Sequence, residues 1–171
     1  MYFFIFYQPS TNFTKLIFAK SPVASSKTGE LVLPASLLET TWPTADTSTG
    51  VFANSAIETV EFDQGITINE LPQFIFCNMK QLREIDLSNL SASAAEDASE
   101  TLLTTNITNF TGFIFENCTA LTTVNYPKSI AAIPNNIFKG CSSLNNFNFN
   151  DLTNLTSIGT AAFQNSGLSG T

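Results

Sequence analysis

Apolar positions in this chain recur with a period of about 23 residues, a length within the range of solenoid repeats. Ile107, Phe110, Ile114, Phe115, Cys118, Leu121, Val124 and Tyr126 return at the same spacing as Ile130, Ile133, Ile137, Phe138, Cys141, Leu144, Phe147 and Phe149. A third copy runs Ile68, Leu71, Ile75, Phe76, Met79, Leu82, Ile85 and Leu87, with Met79 where the later units carry cysteine. A fixed period of this length marks a solenoid, because one unit cannot bury its apolar face alone and stacking buries it. Numbered from the phenylalanine that precedes the Cys/Met position, the candidate origins are Phe18, Phe52, Phe76, Phe115, Phe138 and Phe163. The intervals Phe18–Phe52 and Phe76–Phe115 are longer than the rest, so each contains chain beyond one repeat.

Nine and eleven positions after each origin the pattern alternates: Ile85/Leu87, Val124/Tyr126, Phe147/Phe149. Alternation of this kind predicts a half-buried strand. One strand per unit, always in the same direction, predicts a parallel sheet. The return of each unit is too short for a long helix, so turns, 3₁₀ pieces or one helical turn are expected on the back. The fold class is therefore α/β, a solenoid with a parallel sheet on its concave side.

The units are not all alike. Phe52–Ile57 and Phe163–Leu168 form a second sub-type, one residue shorter between Ser and the next apolar position. Leu31-Val32-Leu33-Pro34 matches Val124-Asn125-Tyr126-Pro127 in position type. Residues 1–50 form an irregular N-terminal segment with one or two degenerate repeats. Within it residues 39–50 read as a loop, punctuated by Pro43 and Gly50, with Trp42 covering an edge of the core. Residues 51–171 carry the repeats, with an insertion at about 88–103 that contains a capping-box pattern at Ser93 and Glu96. Such an insertion costs little closure entropy and leaves the repeat intact. The last unit stops before its strand, so a piece cut mid-repeat is expected.

Asn54, Asn78, Asn117 and Asn165 all stand two positions after an origin phenylalanine. Asn bonds neighbouring backbone and tolerates left-handed conformations, so these positions predict structural turns. Cys118 and Cys141 fall on adjacent units and are expected as buried, reduced thiols acting as small apolar side chains. With Cys77 the cysteines number three and form no C-x-x-C pair. Two thiols without a histidine make a poor zinc site.

Composition narrows the function. The net charge is −7, from 14 acidic and seven basic residues, and only Arg83 is arginine. Nucleic acid and anionic membranes both demand clustered Lys/Arg, so neither is an expected partner. The absence of histidine removes His triads and His-ligated metals. The apolar run from Tyr2 to Tyr7 is too short to span a bilayer and lacks the basic start and cleavage site of a signal peptide; it is expected to cover the end of the core. Six N-x-S/T sequons, at Asn12, Asn89, Asn106, Asn109, Asn117 and Asn154, barely exceed chance in so Asn-, Ser- and Thr-rich a chain. No catalytic constellation, cofactor or metal site is expected.

The run Phe115-Glu-Asn-Cys118-Thr-Ala-Leu121-Thr-Thr-Val124-Asn-Tyr-Pro127, with its copy from Phe138, resembles the BspA-like leucine-rich repeat. The resemblance covers roughly Phe52 to Thr171, and more faintly Leu31 to Leu37. It implies an extracellular or cell-surface module acting in adhesion and host binding. The outward rows of the sheet would then be the binding face: Thr59, Glu84, Thr123 and Asn146 in one row, Glu61, Asp86, Asn125 and Asn148 in the next. A protein or glycan partner is expected there, and basic proteins suit the acidic end best. The alternative is a spacer or self-associating segment of a longer surface protein, with no ligand of its own.

Overall fold

The computed structural model describes residues 13–19, 30–34, 50–63, 66, 70–90, 109–110, 112–128 and 130–169. The apolar run at 2–7, the loop around Trp42 up to position 49, most of the insertion and the sequons at Asn12 and Asn106 lie outside these residues.

Nine short strands are described: β1 (Lys15–Ala19), β2 (Glu30–Pro34), β3 (Thr59–Phe62), β4 (Glu70–Leu71), β5 (Glu84–Asp86), β6 (Asn109–Phe110), β7 (Thr123–Asn125), β8 (Ala132–Ile133) and β9 (Ser157–Ile158). The main sheet has the order β2-β1-β3-β5-β7, and β4-β6 and β8-β9 form two smaller sheets. Every pairing is parallel. Among the described residues the only helices are two 3₁₀ turns, Ser88–Leu90 and Phe149–Asp151. The backs of the units thus carry turns and two-residue strands. The same step that stacks the main strands also places Leu71 beside Phe110 and Ile133 beside Ile158.

The register follows the repeat. Glu84 pairs with Thr123 and Ile85 with Val124, although the insertion separates them in the chain. Phe76 and Phe115 stack 5.6 Å apart at 8°, so the extra chain between them does not break the stack. Residues 88–90 have a counterpart later in the chain. Leu90, 3% exposed, sits in the core at the end of the first 3₁₀ turn. Its counterpart is Leu152, just past the end of the second.

A ladder of phenylalanines forms the spine. Phe52–Phe76, Phe76–Phe115, Phe115–Phe138 and Phe138–Phe163 have ring centroids 6.1, 5.6, 5.5 and 5.4 Å apart, all stacked. Phe18 is not a rung of it. Phe18 lies on β1 opposite Leu33 and Phe62, in strand register, and meets Phe52 and Phe76 edge-on. Phe13 and Ile17 precede it at the origin spacing, but with Leu16 it forms the buried half of a strand alternation. The match of Leu31 to Val124 holds, since Leu31, Leu16, Val60, Ile85 and Val124 lie in one row across the sheet.

The chain order is permuted at the N-terminal end. β1 lies between β2 and β3 and acts as the rung before β3: the N–H groups of Glu58 and Thr59 both donate to the Thr14 carbonyl. Leu16 and Phe18 are fully buried there.

Left-handed backbone recurs where the Asn pattern placed it. Asn54, Asn78, Asn117 and Asn165 have φ between +56° and +60°, and Gly140 takes the same position in its unit at +76°. A second left-handed column, two positions before the origin, was not legible: Phe74, Phe113, Asn136 and Ala161 have φ from +56° to +67°. The residue types vary too much there for a sequence signature.

Candidate functional site

The outward face of the main sheet is built by the period of two. Leu16, Phe18, Val60, Phe62 and Ile85 point into the core, so their neighbours point out. The first outward row reads Glu30, Lys15, Thr59, Glu84 and Thr123 across five strands. The second reads Val32, Ile17 and Glu61, then Asp86 and Asn125, which follow the Ile85–Val124 pair. Of the residues expected at this face, Glu61, Glu84, Thr123 and Asn125 are exposed, and Thr59 and Asp86 are half-buried.

Asn146 and Asn148 are exposed but do not extend the rows, because the main sheet ends at β7. In the earlier units the amide seven positions after the origin donates to the preceding rung: Arg83 to the Glu58 carbonyl, Thr122 to the Arg83 carbonyl. Asn145 instead donates to Ser143, only two positions back, and Phe149 donates to Phe147 in the same way. These tight turns replace the ladder. Phe147 remains buried, but Phe149 is 39% exposed and packs on Phe163 at 5.6 Å. The expectation that Phe149 faces inward like Tyr126 is thereby corrected.

Asp86, in the second row, and Asn148, beyond the rows, already have structural duties. The Asp86 carboxylate accepts from the Ser88 N–H at 2.9 Å, opening the first 3₁₀ turn. The Asn148 side chain accepts from the Asn150 N–H at 3.2 Å, opening the second. The shared pattern is Asp/Asn, apolar, Ser/Asn, any residue, Leu, and it was readable in the sequence as a local Asx turn.

The acidity is partly offset by residues the sequence reading did not assign to this face. Lys15 bridges Glu61 at 2.8 Å and Glu30 at 4.0 Å, and Arg83 lies 3.7 Å from Glu58. The β2–β1 end also adds outward Val32 and Ile17, both half-buried. The face is therefore apolar at one end, carboxylate-rich at β3 and β5, and amide- and hydroxyl-bearing at β7.

The described residues hold no group of three His, Cys, Asp or Glu side chains able to bind a metal ion. The cysteines are buried and free. The Cys118 thiol donates to the Phe76 carbonyl and the Cys141 thiol to the Phe115 carbonyl, each at 3.1 Å, so each thiol clips one rung to the one before. Burial pushes the Cys118 thiol well above its ordinary range, and Cys141 up to about 12. Cys77 is pushed to about 11, by burial first and by the Glu116 carboxylate second. These thiols are poor nucleophiles at neutral pH.

Stacked units with all-parallel pairing of short strands, a phenylalanine ladder and left-handed turns define a leucine-rich-repeat solenoid. The chain belongs to the family described as BspA type Leucine rich repeat region (6 copies), whose model matches residues 38–101 and 96–170. Comparisons with curated proteins and with solved structures give no match. Repeats of this kind are generally protein-interaction modules and typically non-catalytic, and the family is often surface-associated. No described helix is long and apolar enough to cross a membrane.

Proposed function

We infer that this chain is a non-catalytic adhesion module of a cell-surface or secreted protein, and that the outward face of the main sheet binds a protein or glycan. The observation that carries this reading is the register of outward polar residues across β3, β5 and β7. Thr59, Glu84 and Thr123 repeat one side-chain position on successive strands. A repeat array turns such a position into an extended surface, which is how solenoids engage partners. Glu61, Glu84 and Asp86 favour a basic protein segment, through attraction of opposite potentials. Thr123 and Asn125 add uncharged hydrogen-bonding groups.

The test is binding of the immobilised chain to a panel of extracellular-matrix proteins and glycans. Glu61→Lys and Glu84→Lys are made together; Asp86 is left in place because its carboxylate caps a turn. A fall of about tenfold or more in affinity, equivalent to about 1.4 kcal/mol, supports the sheet face. Unchanged binding in a folded variant removes it. Failure of the unaltered chain to bind any member of the panel favours the spacer reading instead.

A further inference from the structure

A groove of about 510 Å³ opens beside the short strands β8 and β9, away from the rows described above. Three of its lining residues, Gln73, Gly112 and Asn135, stand three positions before successive stacked phenylalanines. The two amides are thus two rungs apart, about 10 Å on ordinary strand spacing, and the glycine lets the backbones approach between them. The glycine is required by crowding: a Cβ at Gly112 would lie 2.5 Å from the Asn135 carbonyl oxygen.

An aromatic ring held by a neighbour also lines the groove. Phe113 is half-buried, at φ +67°, and stacks on Phe74 at 5.2 Å and 28°. The next two units carry Asn136 and Ala161 at the same backbone position, so the ring column stops at Phe113. Across the groove Ile158 is 52% exposed. The polar lining is uncharged. Asn135 Oδ1 accepts from the Thr160 N–H at 2.7 Å, which orients the amide and leaves its Nδ2 as a donor. Gln73 and Ser157 are exposed and make no side-chain hydrogen bond to another described residue.

We propose that this groove binds a neutral saccharide, with one pyranose ring lying on Phe113 and its hydroxyls bonded to Gln73, Asn135 and Ser157. The C–H face of a pyranose is apolar and slightly positive, which suits the negative face of an aromatic ring. Sugar hydroxyls both donate and accept, as the two amides and the serine hydroxyl do. Sialylated, sulfated or phosphorylated ligands would find no cation in the lining to pair with.

The test is saturation-transfer NMR on the full chain with lactose, cellobiose and maltose, and with 3′-sialyllactose as the charged comparison. The expected result is transfer to ring C–H protons of at least one neutral disaccharide. Phe113→Asn should reduce its affinity about tenfold or more. This variant places at position 113 the residue that the next unit carries at the corresponding left-handed position, so circular dichroism and melting should be preserved. Should it melt early, Ile158→Ser removes the opposite wall at an exposed site and decides the matter by the same loss. Glu61→Lys with Glu84→Lys should bind saccharide as the unaltered chain does. The proposal is overturned by absence of transfer from all three neutral sugars or by preference for the sialylated one. Undiminished binding in folded Phe113→Asn also overturns it, as does loss of binding only in the sheet-face variant.

Discussion

At the scale of single residues, the repeat is held by positions whose chemistry is forced by geometry. The position two after each ladder phenylalanine is left-handed in every described unit, and it is filled by Asn or Gly. A Cβ-branched residue there collides with its own carbonyl, so Asn117→Val should destabilise by about 1–2 kcal/mol in denaturant melts, while Asn117→Gly should cost little. Phe138 has no exposed surface and touches rings on both sides, Phe115 and Phe163. Phe138→Ala should cost about 3–5 kcal/mol, measured the same way. The thiols make a pH prediction. Their folded pKa values lie above 9, so the folded state retains protons that the unfolded chain releases. Their contribution to stability is complete below about pH 9 and is lost as pH rises toward about 12, by up to about 1.4 kcal/mol per pH unit for each thiol. Urea midpoints measured from pH 8 upward should fall, and Cys141→Ala should flatten the decline. Below pH 8 all three thiols should resist alkylation until the protein unfolds.

At the scale of elements, one unit is a short strand, a turn, a two-residue strand and a ladder phenylalanine. The strands were readable because Ile85/Leu87 and Val124/Tyr126 alternate over a buried face. The two-residue strands were not, since a pair such as Ala132–Ile133 is too short to show any period. Local pattern also failed at Phe147/Phe149, where the alternation is present but contacts with Phe163 and two tight turns withdraw the chain from the ladder. The shared pattern that follows each phenylalanine, Met79, Leu82 and Ile85 against Cys118, Leu121 and Val124, predicted the stacking of Phe76 on Phe115 across the longer interval, and the ring geometry agrees. Removal of residues 92–105 would give these two phenylalanines the same separation in sequence as Phe138 and Phe163. That variant should fold, with a far-ultraviolet spectrum and urea midpoint close to those of the full chain, because the stack and the Glu84–Thr123 pairing lie outside the deletion. Loss of cooperative unfolding would show that the inserted chain belongs to the core.

At the scale of the whole molecule, stability in a solenoid is a sum of units and the contacts between neighbours. The rungs of Phe76, Phe115 and Phe138 each have a ladder ring on both sides, whereas Phe163 has only Phe138 among the ladder rings. Hydrogen exchange should therefore be slowest in residues 75–90 and 114–141 and fastest in the unit of Phe163. The sequence alone determined the period, the parallel stack, the phenylalanine ladder, the buried cysteines and the left-handed asparagines. All of these repeat at fixed spacing, and repetition makes a weak local preference visible. Only the tertiary structure decided what happens once per chain. It seats β1 between β2 and β3, sets Lys15 between Glu30 and Glu61, ends the main sheet at β7 and brings the Asn135 carbonyl close to Gly112. Each of these depends on contacts between residues far apart in the chain, and a feature without a second copy leaves no period to read.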